Sequence, residues 1–267
     1  MYTSDPLLLS MILCYHAMSS EWPSSLAVSE KLLSRQIAHL HARGYQGFTL
    51  AEAERRRAAG TLPRRSVVVT FDDAYESTLR ALPILSAVGY PATVYVVTRF
   101  AESGEPLCWP GVDHWLDGPH AAELRPLRWH DLERLLDAGW EVGSHTVTHP
   151  RLPELDDDDL ARELAGSRRE IVARLGSCET VAYPYGLADD RVAAAAEAAD
   201  YTAGVTLTSA HRTNTPFLRP RIGLYPADGG VRLRVKLSPT FTALRRTQLG
   251  VAAERLNPGL SEFRRAR

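Results

Sequence analysis

The sequence predicts a single-domain α/β fold, a parallel barrel of βα units, from three observations. Short β-branched or apolar runs alternate along the chain with longer segments of helical spacing, the pattern of parallel βα units. Roughly seven such units fit the length, which favours a barrel over an open sheet. The conspicuous polar clusters all follow predicted strands, and in a parallel barrel the C-terminal strand ends surround one mouth where active sites form.

The predicted strands are Met11 to Tyr15, Ser66 to Phe71 (SVVVTF), Ala92 to Val97, Trp140 to Val142, Thr180 to Tyr183, Ala203 to Leu207 and Arg219 to Leu224. Helical spacing of Leu32, Leu33, Ile37 and Leu40 marks Ser29 to Arg43, with Gly44 as a stop. A helix over Glu76 to Val88 is expected to bend or break at Pro83. Leu132 to Ala138, Asp156 to Leu175 and Asp189 to Ala199 complete the helices. The acidic run Asp156 to Asp159 suits the positive end of a helix dipole, and Gly176 ends that helix. Phe100 to Arg128, rich in Pro, Gly and Trp, reads as a long insertion over one face. Trp109, Trp115 and Trp129 are candidates to stack on sugar faces.

Composition narrows the function. The 267 residues are 45% hydrophobic and 24% charged, with a net charge of -1, so no global field draws the chain to nucleic acid. The charge is uneven, with nine Lys or Arg against two Asp or Glu from Val231 to Arg267. We therefore divide the chain into a barrel at 1–230 and a basic extension at 231–267, packed on or trailing from the barrel. That extension suits weak peripheral contact with an anionic surface, or is simply a solvated helix. Three cysteines without a CxxC spacing suggest no disulfide framework, and Cys14 and Cys178 read as small apolar fillers. The apolar stretch Leu7 to Cys14 lacks the features of a secretory signal, and no run reaches membrane-span length. The expected location is cytoplasmic.

Four polar clusters sit after strands: Tyr15-His16, Asp72-Asp73, His145 with His149, and Tyr183-Pro-Tyr-Gly186. Taken singly, each has a structural account: a satisfied core histidine, a helix cap, two surface histidines, a turn. Taken together, they describe a metal site. Two histidines four apart on one side of a helical turn can grip one cation. Adjacent aspartates at a strand end point in different directions, so one can bind metal while the other takes a proton. Mixed His and carboxylate donors suit Zn, with Co or Ni as alternatives.

Thr70-Phe-Asp-Asp-Ala-Tyr, His145-Thr-Val-Thr-His149-Pro and Ala182-Tyr-Pro-Tyr-Gly186 resemble the motifs of the polysaccharide deacetylases of the NodB-homology type, carbohydrate esterase family 4. The resemblance runs from about Ile12 to Leu224 and implies a distorted (β/α)7 barrel. It implies that Asp73, His145 and His149 bind one divalent metal, that Asp72 is the general base, and that the Tyr185 backbone N–H holds the oxyanion. The chain departs from the family pattern at Ala182, where many members have an arginine that orients the base, and at Ala74, where Gly is common. It also lacks the late Leu-x-His that supplies a general acid. In the branch of poly-N-acetylglucosamine deacetylases an early Tyr-His supplies that acid, a pattern that Tyr15-His16 fits. For the missing arginine the candidate is Arg221, which would either pair with Asp72 or form a surface salt bridge. The implied activity is removal of N-acetyl from an amino sugar. The rivals are hydrolysis of a non-sugar amide and a non-catalytic carbohydrate-binding descendant.

Overall fold

A computed structural model of the chain describes residues 11–207 and 215–238. Strands β1 (Met11–Tyr15) and β5 (Ser66–Phe71) pair in parallel along five residues, from Met11↔Val67 to Tyr15↔Phe71. Every residue of the SVVVTF run is buried, as expected of a parallel strand covered on both faces. From this pair the sheet continues through β6 (Thr93–Val96), β7 (Glu141–Ser144), β8 (Thr180–Ala182) and β9 (Ala203–Thr206) to β10 (Arg219–Pro220), with β11 (Ile222–Gly223) on the far side of β1. Every pairing is parallel, and β4 (Gln46–Phe48) adds to β5 off this path.

The sheet nearly closes on itself through one extended segment. Arg219 and Pro220 pair with Val205 and Thr206 on one edge, while Ile222 and Gly223 pair with Leu13 and Cys14 on the other. Arg221 lies between the halves, and its N–H donates to the Thr206 carbonyl at 3.0 Å. The predicted last strand, Arg219 to Leu224, is therefore the closing stave of the barrel.

The helices form where side-chain caps and apolar stripes agree. Helix α1 (Glu30–His41) starts at Ser29, whose hydroxyl accepts from Leu32 N–H, and buries Leu33, Ile37 and Leu40 one helical turn apart. In α6 (Asp157–Leu175), Asp156 caps the start by accepting from Asp159 N–H, and Gly176 ends it in a left-handed conformation. Asp189 caps α7 (Asp190–Ala198) in the same way. Pro83 divides the predicted Glu76–Val88 helix into a 3₁₀ segment, Glu76–Ala81, and the short α3 (Leu82–Ser86), where the ring sits in the first turn and removes no hydrogen bond. Helix α5 (Trp129–Asp137) precedes β7.

Besides β4, three features lay outside the sequence reading. Ala17–Met18 (β2) and Ala27–Val28 (β3) form a small separate pair. Helix α2 (Leu50–Ala58) reaches the start of the barrel, where Leu50 N–H donates to Thr93 Oγ1 and Ala51 N–H to Glu141 Oε2. Helix α4 (Thr98–Ser103) follows β6. Of the basic extension, only residues 231–238 are described: α8 (Gly230–Lys236) packs Leu233 into the core, with Leu237 beyond it, and residues 239–267 lie outside the described part. No helix among the described residues is long and apolar enough to cross a membrane.

Candidate active site

Asp72 and Asp73 follow β5 directly. The Asp72 N–H still donates to the Tyr15 carbonyl, at 2.9 Å. Asp73 and Ala74 then take left-handed backbone angles, with φ of 68° and 54°. This turn sends the two carboxylates to different partners. Ala74 stands where glycine is common in the family motif, so a side chain here tolerates a conformation that costs L-residues roughly 1–2 kcal/mol.

His145 and His149 are not on a helical turn, which corrects the geometry expected from their spacing. They flank a loop after β7 in which Thr146 and His149 are both left-handed, with φ of 69° and 67°. Two neighbours fix that loop. The first amides of α4, from Thr98 and Arg99, donate to the carbonyls of Thr146 and Val147 at 3.2 and 3.1 Å. Glu163 of α6 accepts from Val147 N–H, Thr148 N–H and the Thr148 hydroxyl at 2.8, 3.0 and 2.6 Å.

The result is a convergence of three donor atoms. Asp73 Oδ1 lies 3.2 Å from His145 Nε2 and 3.4 Å from His149 Nε2, all three side chains being buried. His145 Nδ1 lies 2.7 Å from the Ala182 carbonyl, which can only accept, so this nitrogen carries the proton and Nε2 presents its lone pair. Asp73 Oδ1 is buried yet has no well-aligned hydrogen bond among the described residues, although the two imidazoles beside it hold its carboxyl far below the usual range against the effect of burial. Burial and the neighbouring His145 leave His149 less basic than usual. For His145, burial is outweighed by Asp73, Asp72 and the Ala182 carbonyl. An orphaned carboxylate oxygen between two Nε2 atoms is a donor set that fits a divalent cation with two nitrogen ligands and one oxygen ligand.

Asp72 faces the other way. Arg221, fully buried, grips it in a fork: Nη1 to Oδ1 and Nη2 to Oδ2, both 2.6 Å, with Nη1 also 3.0 Å from Thr70 Oγ1. Of the two fates open to Arg221, the structure thus has the pairing with Asp72. Burial alone would raise the Asp72 carboxyl, but the guanidinium, aided by His145 and His16, holds it below its ordinary value. Cys14 is more than an apolar filler, since its thiol donates to Asp72 Oδ2 at 3.5 Å. His16 is buried with Nε2 4.0 Å from Asp72 Oδ2. Burial lowers its pKa despite the pull of Asp73 and Asp72.

Tyr185 adopts a left-handed φ of 59° in the Tyr-Pro-Tyr-Gly turn, and its ring lies 4.7 Å from that of His149. Trp109 is buried and stacks on His149, Trp115 packs edge-on against Trp22, and Trp129 donates to Glu102. Trp109 is therefore part of the site's frame, which removes it from the sugar-stacking candidates. Glu163 was not legible as a site residue, because it reads as the polar face of α6, and Trp109 was legible only as a candidate to stack on a sugar, not as a neighbour of His149.

Fold and strand-end cluster together are those of a parallel α/β barrel with a His and Asp donor set at one mouth. Residues 59–204 match the family described as polysaccharide deacetylase, more than half of the chain, and the chain belongs to that family. It is 29% identical over 189 residues to the poly-beta-1,6-N-acetyl-D-glucosamine N-deacetylase of Staphylococcus aureus, covering 66% of this chain and 59% of the relative. The Escherichia coli (strain K12) protein of the same name is 34% identical over 102 residues, 38% of this chain and 13% of that one. The chain thus spans about three fifths of the S. aureus relative's length. Among solved structures, Streptococcus pyogenes deacetylase PplD in complex with acetate matches with a TM-score of 0.74 and 25% identity over 86% of this chain and 98% of that one. IcaB from Ammonifex degensii shares the fold, with a TM-score of 0.65 and 21% identity over 89% and 97%.

Proposed function

We propose that this protein is a metal-dependent carbohydrate N-deacetylase that hydrolyses the N-acetyl group of an amino sugar in a saccharide, glycoconjugate or glycosylated precursor. The observation that carries the reading is the orphaned Asp73 Oδ1 between His145 Nε2 and His149 Nε2, beside a separate aspartate held by Arg221. Asp73, His145 and His149 would hold one divalent cation, Zn2+ in the first instance, with Co2+ or Ni2+ as alternatives. Such a cation supplies Lewis acidity toward a water molecule and the acyl oxygen.

The chain's own residues supply the rest. Asp72, kept ionised by Arg221, takes a proton from the attacking water, so hydroxide adds to the acyl carbon. The Tyr185 backbone N–H donates to the oxyanion, an interaction worth about 3 kcal/mol when well placed. His16 gives a proton to the leaving amine as the C–N bond breaks. Burial lowers the His16 pKa, and the proton it passes on is the one Asp72 takes from water, across the 4.0 Å from Asp72 Oδ2 to His16 Nε2. Arg221 in contact with Asp72 supports a catalytic protein over a non-catalytic binding descendant, because it supplies the cation that Ala182 lacks.

The names of the S. aureus and E. coli relatives make β-1,6-linked N-acetylglucosamine oligomers the first substrate to try. The cytoplasmic location expected from the sequence remains part of the proposal, and cell fractionation checks it. The basic extension remains part of the proposal as a weak peripheral contact, beside the barrel of residues 1–230. Acetate release is to be measured from those oligomers, from other N-acetylhexosamine compounds and from non-sugar N-acetyl amides, with and without chelator. Chelator-sensitive release from the sugars is expected. Release only from the non-sugar amides would favour the amidohydrolase rival, and no release from any sugar overturns the reading.

A further inference from the structure

The two histidines of the donor trio are oriented by different means. His145 is fixed by a hydrogen bond from Nδ1 to the Ala182 carbonyl at 2.7 Å. A metal-ligating imidazole ordinarily has such an outer partner, which sets both its tautomer and its ring plane. His149 Nδ1 is buried and finds no hydrogen-bond partner among the described residues. A face of the His149 ring is covered instead: the Trp109 indole lies over it with centroids 4.1 Å apart and planes 24° from parallel. The Tyr185 ring abuts it at 4.7 Å and 62°, and the His145 ring at 4.8 Å and 71°.

The indole is itself held firmly. Trp109 is 5% exposed and meets Phe100 edge-on at 5.5 Å. Its carbonyl accepts from Val112 and Asp113 N–H, both at 3.1 Å. Phe100 belongs to α4, whose first amides hold the histidine loop at Thr146 and Val147. The insertion thus reaches the donor trio through a ring that is flat, buried and stacked.

We propose that Trp109 is the positioning residue for His149. Its stacked indole fixes the imidazole plane, and with it the direction of Nε2, in place of the hydrogen bond that His145 enjoys. Folding of the insertion and retention of the cation are then coupled through this one contact. The proposal rests on the metal-site reading above, and it assigns Trp109 no contact with substrate.

The test is titration of chelator-stripped protein with Zn2+ by calorimetry, comparing wild type, Trp109→Leu, Trp109→Phe and Trp115→Leu. Wild type should bind one equivalent. Trp109→Leu should bind about 10- to 100-fold more weakly, the loss typical when an outer partner of a metal ligand is removed. Trp109→Phe keeps a stacking face and should recover most of that loss. Trp115→Leu, which strips an aromatic ring from the same cluster without touching His149, should keep wild-type affinity. Should Trp109→Leu not fold, Trp109→Met replaces it as a variant with bulk but no ring face. Affinity within twofold of wild type in the ringless variant overturns the proposal, and so does equal weakening in Trp115→Leu. Failure of the metal-site reading looks different, since wild type itself would then bind no cation.

Discussion

Replacing Arg221 by methionine removes the charge of a fully buried guanidinium while keeping much of its bulk. In the folded protein Asp72 would lose two 2.6 Å charge-assisted bonds and stay buried at 2% exposure, left with the Cys14 thiol and the imidazoles of His16 and His145 as neighbours. Breaking one side of a buried ion pair costs about 3–5 kcal/mol. At about 2–4 °C per kcal/mol for a chain near this size, melting should drop on the order of 10 °C. The sign of the pH dependence follows from Asp72. In wild type its folded pKa is depressed, so its contribution is present above the unfolded pKa and is lost as pH falls through the folded one. Without Arg221, burial dominates and raises that carboxyl, so the variant's penalty is relieved as pH falls. The stability gap should therefore be widest at neutral pH and narrow toward about pH 4.

Urea unfolding of the chelator-stripped proteins across that range measures the gap directly. A gap below about 1 kcal/mol at pH 7, or one that stays constant down to about pH 4, would refute the assignment of Arg221 as the partner that keeps Asp72 ionised. The double variant Asp72→Asn/Arg221→Met should lose less than the sum of the single losses, because each single change strands the other partner. Strict additivity would count against direct coupling.

Asp73→Ala and His145→Ala should each strip the metal from purified protein, read as metal content by elemental analysis, whereas Asp72→Asn should abolish turnover and retain metal. His16→Ala should slow amide hydrolysis more than hydrolysis of activated esters, whose leaving groups need no proton; equal slowing of both argues against the acid role. Glu141, in contact with Thr93, Thr180 and Ala51 N–H, has its carboxyl raised by burial. A raised folded pKa makes this group's contribution to stability fall as pH rises above the unfolded carboxylate value, so Glu141→Gln should flatten that decline, as followed by denaturation midpoints at pH 5 and pH 8.

Much of the barrel was legible because each buried parallel strand is a short run with turn signals around it. The strands that escaped are two or three residues long, as in Ala17–Met18 and Gln46–Phe48, too short to carry a period. Helix α2 escaped although its start is marked: Thr49 and Glu52 have the spacing of a capping box, and Thr49 accepts from Glu52 N–H. Its five charged residues and weak apolar stripe hid the end that meets the barrel. In the site, residues that follow strands were legible by position, and Arg221 by its place in the last strand. Glu163 and Trp109 meet the histidine loop by contact alone, and no spacing in the chain records it.

The helical turn inferred for His145 and His149 failed for an instructive reason. A spacing of four is satisfied by any loop that brings both rings to one side, and here left-handed residues do it. Five of the six non-glycine residues with positive φ among the described residues are Asp73, Ala74, Thr146, His149 and Tyr185, all in or next to the donor trio. Such conformations cost of order 1–3 kcal/mol each and persist only where the surroundings over-determine them. Those surroundings are Glu163 with its three bonds to the histidine loop, the α4 amides, and the Trp109 stack. The barrel thus holds the chain in strained turns at the strand ends, and those turns bring one carboxylate and two imidazoles to a point while leaving the adjacent aspartate to Arg221.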